Sequence, residues 1–252
     1  MLTTQRKQLI LDILKREGQV VAKDLSKEWQ VSEDTVRRDL RELATEGRLT
    51  RVHGGAMPNS PAEQTFAVRQ GLGQEAKSRL GKAGAALVQK NNIVVIDGGT
   101  TNVQLVRHLP LDIQATVITH SPSIAVELVN HQGIEVILIG GTLFKHSLVC
   151  VGTMTMEAIE RIRADIFFMG ATGLHPHHGV TTADLEESYV KRAFSRQAAE
   201  TVVLASTDKL NAVSPYLIVP IHELSSIIVE SDLSEEAANG FAHLGVNVSR
   251  AE

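Results

Sequence analysis

Six short apolar runs, each closing on small turn-forming residues, constrain this chain more than any other feature. They are IVVIDGG (93–99), TVITHS (116–121), IEVILIGG (134–141), ADIFFMG (164–170), TVVLAS (201–206) and LSSIIVES (224–231). Helical stretches such as TNVQLVRHL alternate with them. A strand that is apolar on both faces has to be covered on both faces, so the alternation predicts a mostly parallel sheet sandwiched between helices. With 252 residues and 43% hydrophobic content, the chain is long enough to bury such a core beside a second, smaller domain.

The first fifty-odd residues have a different rhythm. In QRKQLILDILKREG, Leu9, Ile10, Ile13 and Leu14 fall at helical spacing and Gly18 ends the run. A second short helix is predicted over Ala22 to Trp29. Ser32 caps a third, which continues to about Ala44. On that helix Val36, Leu40 and Leu43 form one inward stripe, while Thr35, Arg37, Arg38 and Arg41 stay off it. GRLTRVHGG then alternates Leu49 and Val52 with Arg48, Arg51 and His53, the pattern of a small hairpin or wing. Helix, turn, helix and basic wing together predict a winged helix-turn-helix whose second helix enters the DNA major groove. The plainer alternative is a solvated helix whose arginines are balanced by Glu33, Asp34, Asp39 and Glu42.

GGAMPNSPAEQ joins the two parts, with Gly54, Gly55, Pro58, Asn59, Ser60 and Pro61 as turn formers outside any core pattern. The expected division is a head over 1–57, a linker over 58–75 and an α/β domain over 76–252. Residues 1–57 carry 11 Lys/Arg against 9 Asp/Glu, and the rest 14 against 20, so a mildly basic head sits on an acidic body. The single cysteine, Cys150, excludes an intrachain disulfide and is read as a small packed hydrophobe. With neither a membrane-length apolar run nor a secretion leader, a cytoplasmic location is expected.

VSEDTVRRDLRELATEGRLTRVHGGA resembles the N-terminal signature of the DeoR family of bacterial transcriptional regulators, and the order of parts follows that family through nearly the whole chain. The resemblance implies that Ser32, Thr35, Arg37, Arg38 and Arg41, with Arg48, Arg51 and His53 of the wing, meet double-stranded operator DNA. It also implies that the α/β domain, similar to sugar-phosphate isomerases and CoA transferases, senses a phosphorylated sugar or related metabolite. Three positions depart from the family pattern. Val21 stands where a Ser or Thr cap is usual, His120 where Asn is usual, and Ser206 where an acidic residue is common.

Independently of the resemblance, loops at the C-terminal ends of parallel strands are where such folds bind ligands. Asp97, Gly98, Gly99, Thr100, Thr101, His120, Ser121, Gly140, Gly141, Gly170, Thr172 and Gly173 supply backbone amides and hydroxyls suited to a phosphate and sugar hydroxyls. The resemblance adds Glu187, Lys191 and Lys209. Glu187 and Lys191, four apart, also suit a simple helical ion pair. No Walker loop or dinucleotide fingerprint is present, so ATP and NAD are poor candidates and no cofactor is expected.

The expected function is therefore a DNA-binding regulator, a repressor of a carbohydrate operon, acting as a homodimer or homotetramer. The rival is an isomerase-like enzyme in which Asp97, Glu187 and Lys209 transfer protons; the DNA-reading head argues against it. The HPHHG cluster of His175, His177 and His178 matches no zinc template and is read as a polar loop.

Overall fold

The computed structural model describes residues 2–60 and 64–252. The head begins with α1 (Thr3–Glu17), which ends at Gly18, followed by β1 (Val20–Val21), α2 (Ala22–Glu28) and α3 (Glu33–Thr45). Two short strands, β2 (Thr50–Val52) and β3 (Gly55–Met57), pair antiparallel around His53 and Gly54, and β1 adds to the far side of β3. Val36, Leu40 and Leu43 are buried against Ile10, Leu14, Leu25 and Leu49. Each such side chain contributes about 1.5–3 kcal/mol of transfer free energy, enough to fix which face of α3 points outward. Val21 gives α2 no side-chain cap. Instead the Ala22 N–H donates to the Gly54 carbonyl at 2.8 Å, so the wing's own turn caps the helix.

One expectation about the head is corrected. Asp39 is not a surface acid balancing the outer arginines. It is fully buried and receives Arg6 Nε at 2.6 Å and Nη2 at 3.1 Å. Asp39 lies three residues after Val36, so the inward stripe carries it to the back of α3.

The segment read as the joint is partly ordered by the head. Asn59 accepts from Thr50 Oγ1 and donates to the Gly47 carbonyl, both at 2.7 Å. Pro61 lies outside the described residues. Within the stretch read as linker stands a helix, α4 (Phe66–Gln70), whose Phe66 is buried in the core of the larger domain.

That domain continues with α5 (Gln74–Ala85), β4 (Ile93–Ile96), α6 (Thr100–Arg107), β5 (Ala115–Thr119), α7 (Pro122–Glu127) and β6 (Ile134–Leu138). A small antiparallel pair follows, β7 (Thr142–Phe144) with β8 (Val149–Val151), and then α8 (Thr153–Ile159) and β9 (Ala164–Met169). The remainder is β10 (Gly173–His175), β11 (Gly179–Thr182), α9 (Leu185–Gln197), β12 (Ala198–Ala205), β13 (Tyr216–Val219), β14 (Ser226–Glu230), α10 (Glu235–Ala242) and β15 (Asn247–Ala251).

Seven strands form one parallel sheet in the order β15-β14-β12-β9-β4-β5-β6. Its two faces bury separate cores. On β9 the neighbours Phe167 and Phe168 are both inaccessible, Phe167 packing with Val190 and Phe194 and Phe168 with Leu80 and Leu105. This is the doubly wound architecture that the all-apolar runs predict. Besides the β7–β8 pair, two additions were not anticipated. One is the polar edge strand β15; the other is a small antiparallel sheet of β10, β11 and β13 beside the main one. The chain enters the main sheet at β4, builds outward through β5 and β6, and returns to β9 on β4's other side. The strand order therefore reverses between β4 and β9, and a crevice opens at such a point.

Candidate functional site

A cavity of about 430 Å³ occupies that crevice. Gly98, Gly99, Thr100 and Thr101 reach it from the end of β4, Gly170, Ala171 and Thr172 from the end of β9, and Ser206 to Lys209 from the end of β12. Thr182 enters from β11, Glu187 and Lys191 from α9. Two cations absent from the sequence-based set also line it, Arg69 from α4 and Lys77 from α5. They lie in and beside the stretch read as linker, where sequence alone gave no reason to look.

Other expected residues do not line the cavity. Gly173 is paired in β10, opposite Thr181. Ser121 Oγ donates to the Leu148 carbonyl, and the Gly140 carbonyl accepts from Thr155 Oγ1. These last two loops follow β5 and β6, on the side of β4 away from the reversal, and the β7–β8 pair packs over that end of the sheet. Asp97 and His120 lie beneath the lining, fully buried.

Asp97 organises the floor. Its Oδ1 receives the Gly98 N–H and His120 Nε2, each at 2.7 Å, while Oδ2 receives the Gly170 N–H at 2.8 Å and Lys191 Nζ at 2.6 Å. Burial by itself would raise this carboxyl, but Lys191 and His120 outweigh it and hold the group well below the usual carboxylate range. Burial likewise opposes the charge on Lys191, which Asp97 and Glu187 more than restore, so its ammonium is raised. Both glycines are demanded by close approach. A Cβ on Gly98 would sit 2.3 Å from Val149 Cγ1, and one on Gly170 would sit 2.7 Å from the Gly98 carbonyl oxygen.

Above the floor the polar groups are open. Arg69 Nε, Thr101 Oγ1, Ser206 Oγ and Glu187 Oε1 are buried without a hydrogen-bond partner among the described residues. Glu187 Oε2 accepts from Thr182 Oγ1 at 2.9 Å and lies 3.8 Å from Lys191 Nζ. The helical ion pair foreseen for Glu187 and Lys191 is thus loose, and the tight partner of Lys191 is Asp97. Burial lowers Lys209 to about 8, against the pull of Asp208 and with the help of Arg69, Lys77 and Lys191. Arg69 and Lys77 are lowered by burial as well. Among the described residues none of Arg69, Lys77 and Lys209 has a carboxylate within ion-pair distance. The cavity thus gathers buried positive charge, hydroxyls and a carboxylate oxygen without a hydrogen-bond partner among the described residues. That arrangement suits an anionic, hydroxylated small molecule.

On the head, Arg37, Arg38, Arg41, Arg48, Arg51 and His53 are all exposed. Ser32 Oγ caps α3 by accepting the Thr35 N–H at 3.2 Å and is 2.8 Å from Thr35 Oγ1. Arg37 pairs with Glu33 one turn back, Nη2 to Oε1 at 2.6 Å, whereas Arg38 and Arg41 have no ion pair among the described residues. His175, His177 and His178 cluster at the β10–β11 turn. His175 Nδ1 accepts backbone N–H groups from His177 and His178, and burial pushes the ring down to about 4. No three His, Cys, Asp or Glu side chains among the described residues are placed to hold a metal ion together, and no helix there is long and apolar enough to cross a membrane.

A head that presents an arginine-bearing helix and a body with a small-molecule cavity define a ligand-responsive, DNA-binding transcription regulator. Residues 6–62 match the DeoR-like helix-turn-helix domain and residues 73–231 the DeoR C-terminal sensor domain; the chain belongs to the DeoR family. It is 30% identical to the transcriptional regulator GlpR of Haloferax volcanii over 98% of both chains. It is 31% identical to the transcriptional repressor GlcR of Bacillus subtilis over 88% of this chain and 86% of that one. Among solved structures, ribose 5-phosphate isomerase A of Methanocaldococcus jannaschii matches 54% of each chain at 16% identity and a TM-score of 0.41.

Proposed function

We propose that this protein represses a carbohydrate operon and is released from, or held on, its operator by a phosphorylated sugar bound in the cavity. Residues 1–57 grip the DNA: Arg38 and Arg41 reach from α3, while Arg48, Arg51 and His53 of the wing touch the flanking backbone. Arg37 contributes after exchanging Glu33 for phosphate. Ser32 and Thr35 hold the start of the helix. Two copies of the chain read the two halves of the operator, as a homodimer or homotetramer in the cytoplasm.

One observation carries the ligand assignment: among the described residues Arg69, Lys77 and Lys209 have no ion-pair partner and share a cavity with Glu187 Oε1, which has no hydrogen-bond partner there. The phosphate sits among the three cations and the amino end of α6, and the sugar hydroxyls sit against Glu187, Thr172 and Thr182. Asp97, His120 and Lys191 act from beneath, by shaping the Gly98 and Gly170 backbone. Asp97 has all four acceptor positions filled, which removes it as a proton-transfer base and favours binding without conversion. Arg69 belongs to α4, in the 58–75 segment between head and body, so a ligand that draws on Arg69 acts on the connection to the head. Such a contact supplies the differential affinity that a ligand needs to shift a conformational equilibrium.

A screen of pentose and hexose phosphates by thermal shift tests the assignment, since a ligand that binds only the native state raises its melting point. The hit should alter operator retention in a mobility-shift assay and be recovered chemically unchanged. Turnover of the hit would replace the sensor reading with an enzymatic one.

A further inference from the structure

His120 has no accessible surface, and both of its ring nitrogens are engaged. Nδ1 lies 2.6 Å from the Cys150 carbonyl oxygen, and Nε2 lies 2.7 Å from Asp97 Oδ1. A carbonyl oxygen can only accept, so Nδ1 carries a proton. The Asp97 carboxylate is filled by donors: besides Nε2, it takes the Gly98 N–H, the Gly170 N–H and Lys191 Nζ. A proton on Oδ1 could only point at Nε2, and against the effect of burial Lys191 keeps the carboxyl ionised. Nε2 therefore donates as well, and a neutral imidazole has only one N–H to give.

We propose that His120 is a buried imidazolium that positions the Asp97 carboxylate and, through it, the Gly98 and Gly170 amides of the cavity floor. This holds whatever the cavity binds.

Several elements place charged groups around the ring. From β4 His120 faces Asp97. From α9 come Lys191 and Glu187, and the Phe194 ring meets the imidazole edge-on at a centroid distance of 5.4 Å. From β8 it meets the Cys150 carbonyl, and burial raises the neighbouring thiol, keeping it neutral. Arg69 of α4 acts on Asp97 and Glu187 from the cavity side. Two carboxylates, Asp97 and Glu187, thus face Lys191, Arg69 and the His120 ring. A neutral imidazole would leave its Nε2 lone pair facing the Asp97 carboxylate, one acceptor against another, and such a buried mismatch is costly.

The test is a long-range proton–nitrogen spectrum of the uniformly labelled full-length protein at neutral pH, with the His120 ring assigned through its own Cβ. Both nitrogens should bear protons. A lone-pair nitrogen at either position overturns the proposal. In a pH titration of the same sample, the Gly98 and Gly170 amide signals should move in step with loss of the Nε2 proton, by the same midpoint. If His120 loses that proton while both amides stay fixed, the positioning role fails. His120→Gln should abolish the shared titration; if that variant does not fold, the wild-type spectra decide alone.

Discussion

Arg6 Nε and Asp39 Oδ2 lie 2.6 Å apart, their side chains 7% and 0% exposed, and together they bolt α1 to the back of α3. Asp39 is buried while its neighbour in sequence, Arg38, is exposed. Removing one partner leaves the other charged and shielded from water, which typically costs about 3–5 kcal/mol. Asp39→Ala should therefore lower the stability of the head by that order, seen as an earlier transition in chemical denaturation. Asp39→Asn, which keeps an acceptor, should lose less. Equal and negligible losses would show that the pair is not structural.

Arg38 is exposed and free of ion pairs among the described residues, while Arg37 is held by Glu33. Arg38→Ala should weaken operator binding and reduce the slope of log affinity against log salt by about one if the contact is to phosphate. An unchanged slope with relaxed sequence preference would mark a base contact instead. No change in either would remove Arg38 from the interface.

Lys209 titrates near 8 in the folded protein because burial, Arg69, Lys77 and Lys191 disfavour its charge. The unfolded chain holds that proton to about 10.4. Between the two values the unfolded state binds more protons, so this lysine makes the unliganded protein more stable as pH rises through the window. A bound phosphate favours the charged ammonium, so phosphate-ester affinity should fall as pH passes about 8, approaching tenfold per unit. Isothermal titration across that range checks this, and Lys209→Met should bind weakly with a flattened pH profile.

Gly170→Ala places a methyl group 2.7 Å from the Gly98 carbonyl oxygen and 3.0 Å from Asp97 Oδ2. Neither atom can yield without breaking the Asp97 network. The substitution should destabilise the body by about 1–3 kcal/mol and abolish ligand-induced thermal stabilisation, with the operator affinity of the head retained. Full ligand response in this variant would show that the floor tolerates displacement.

The parts legible in the sequence are those with a strong local period. Val36, Leu40 and Leu43 announce α3 because one face of a helix repeats every 3.6 residues. The six apolar runs announce their strands because a doubly covered strand has no polar face. Strand β15 escaped notice because NVSRA is polar, as a sheet edge allows, and β7, β8, β10, β11 and β13 are too short to show a period. Within the site, the glycine and threonine loops were legible from their chemistry. Which of them share a cavity was not, because that depends on strand order: Gly140 and Gly141 look like Gly98 and Gly99 on the page, yet lie across β5 from them.

Charged residues were the hardest to place. Asp39 reads as one acid among several on a salt-rich helix, and only its place one turn from Val36 hints that it points inward. Arg69 and Lys77 carry no motif and fall at the edge of a Pro- and Gly-bearing joint. Their role emerges only when α4 and α5 fold back over the ends of β4 and β12.

The reversal of strand order between β4 and β9 has a wider consequence. The groups around the cavity come from as far apart as residue 69 and residue 230, on both wings of the sheet. No fragment of the body can assemble such a receptor. Metabolite recognition is then all-or-none with respect to folding, and a nascent or damaged copy is deaf to the signal until its last strands have docked.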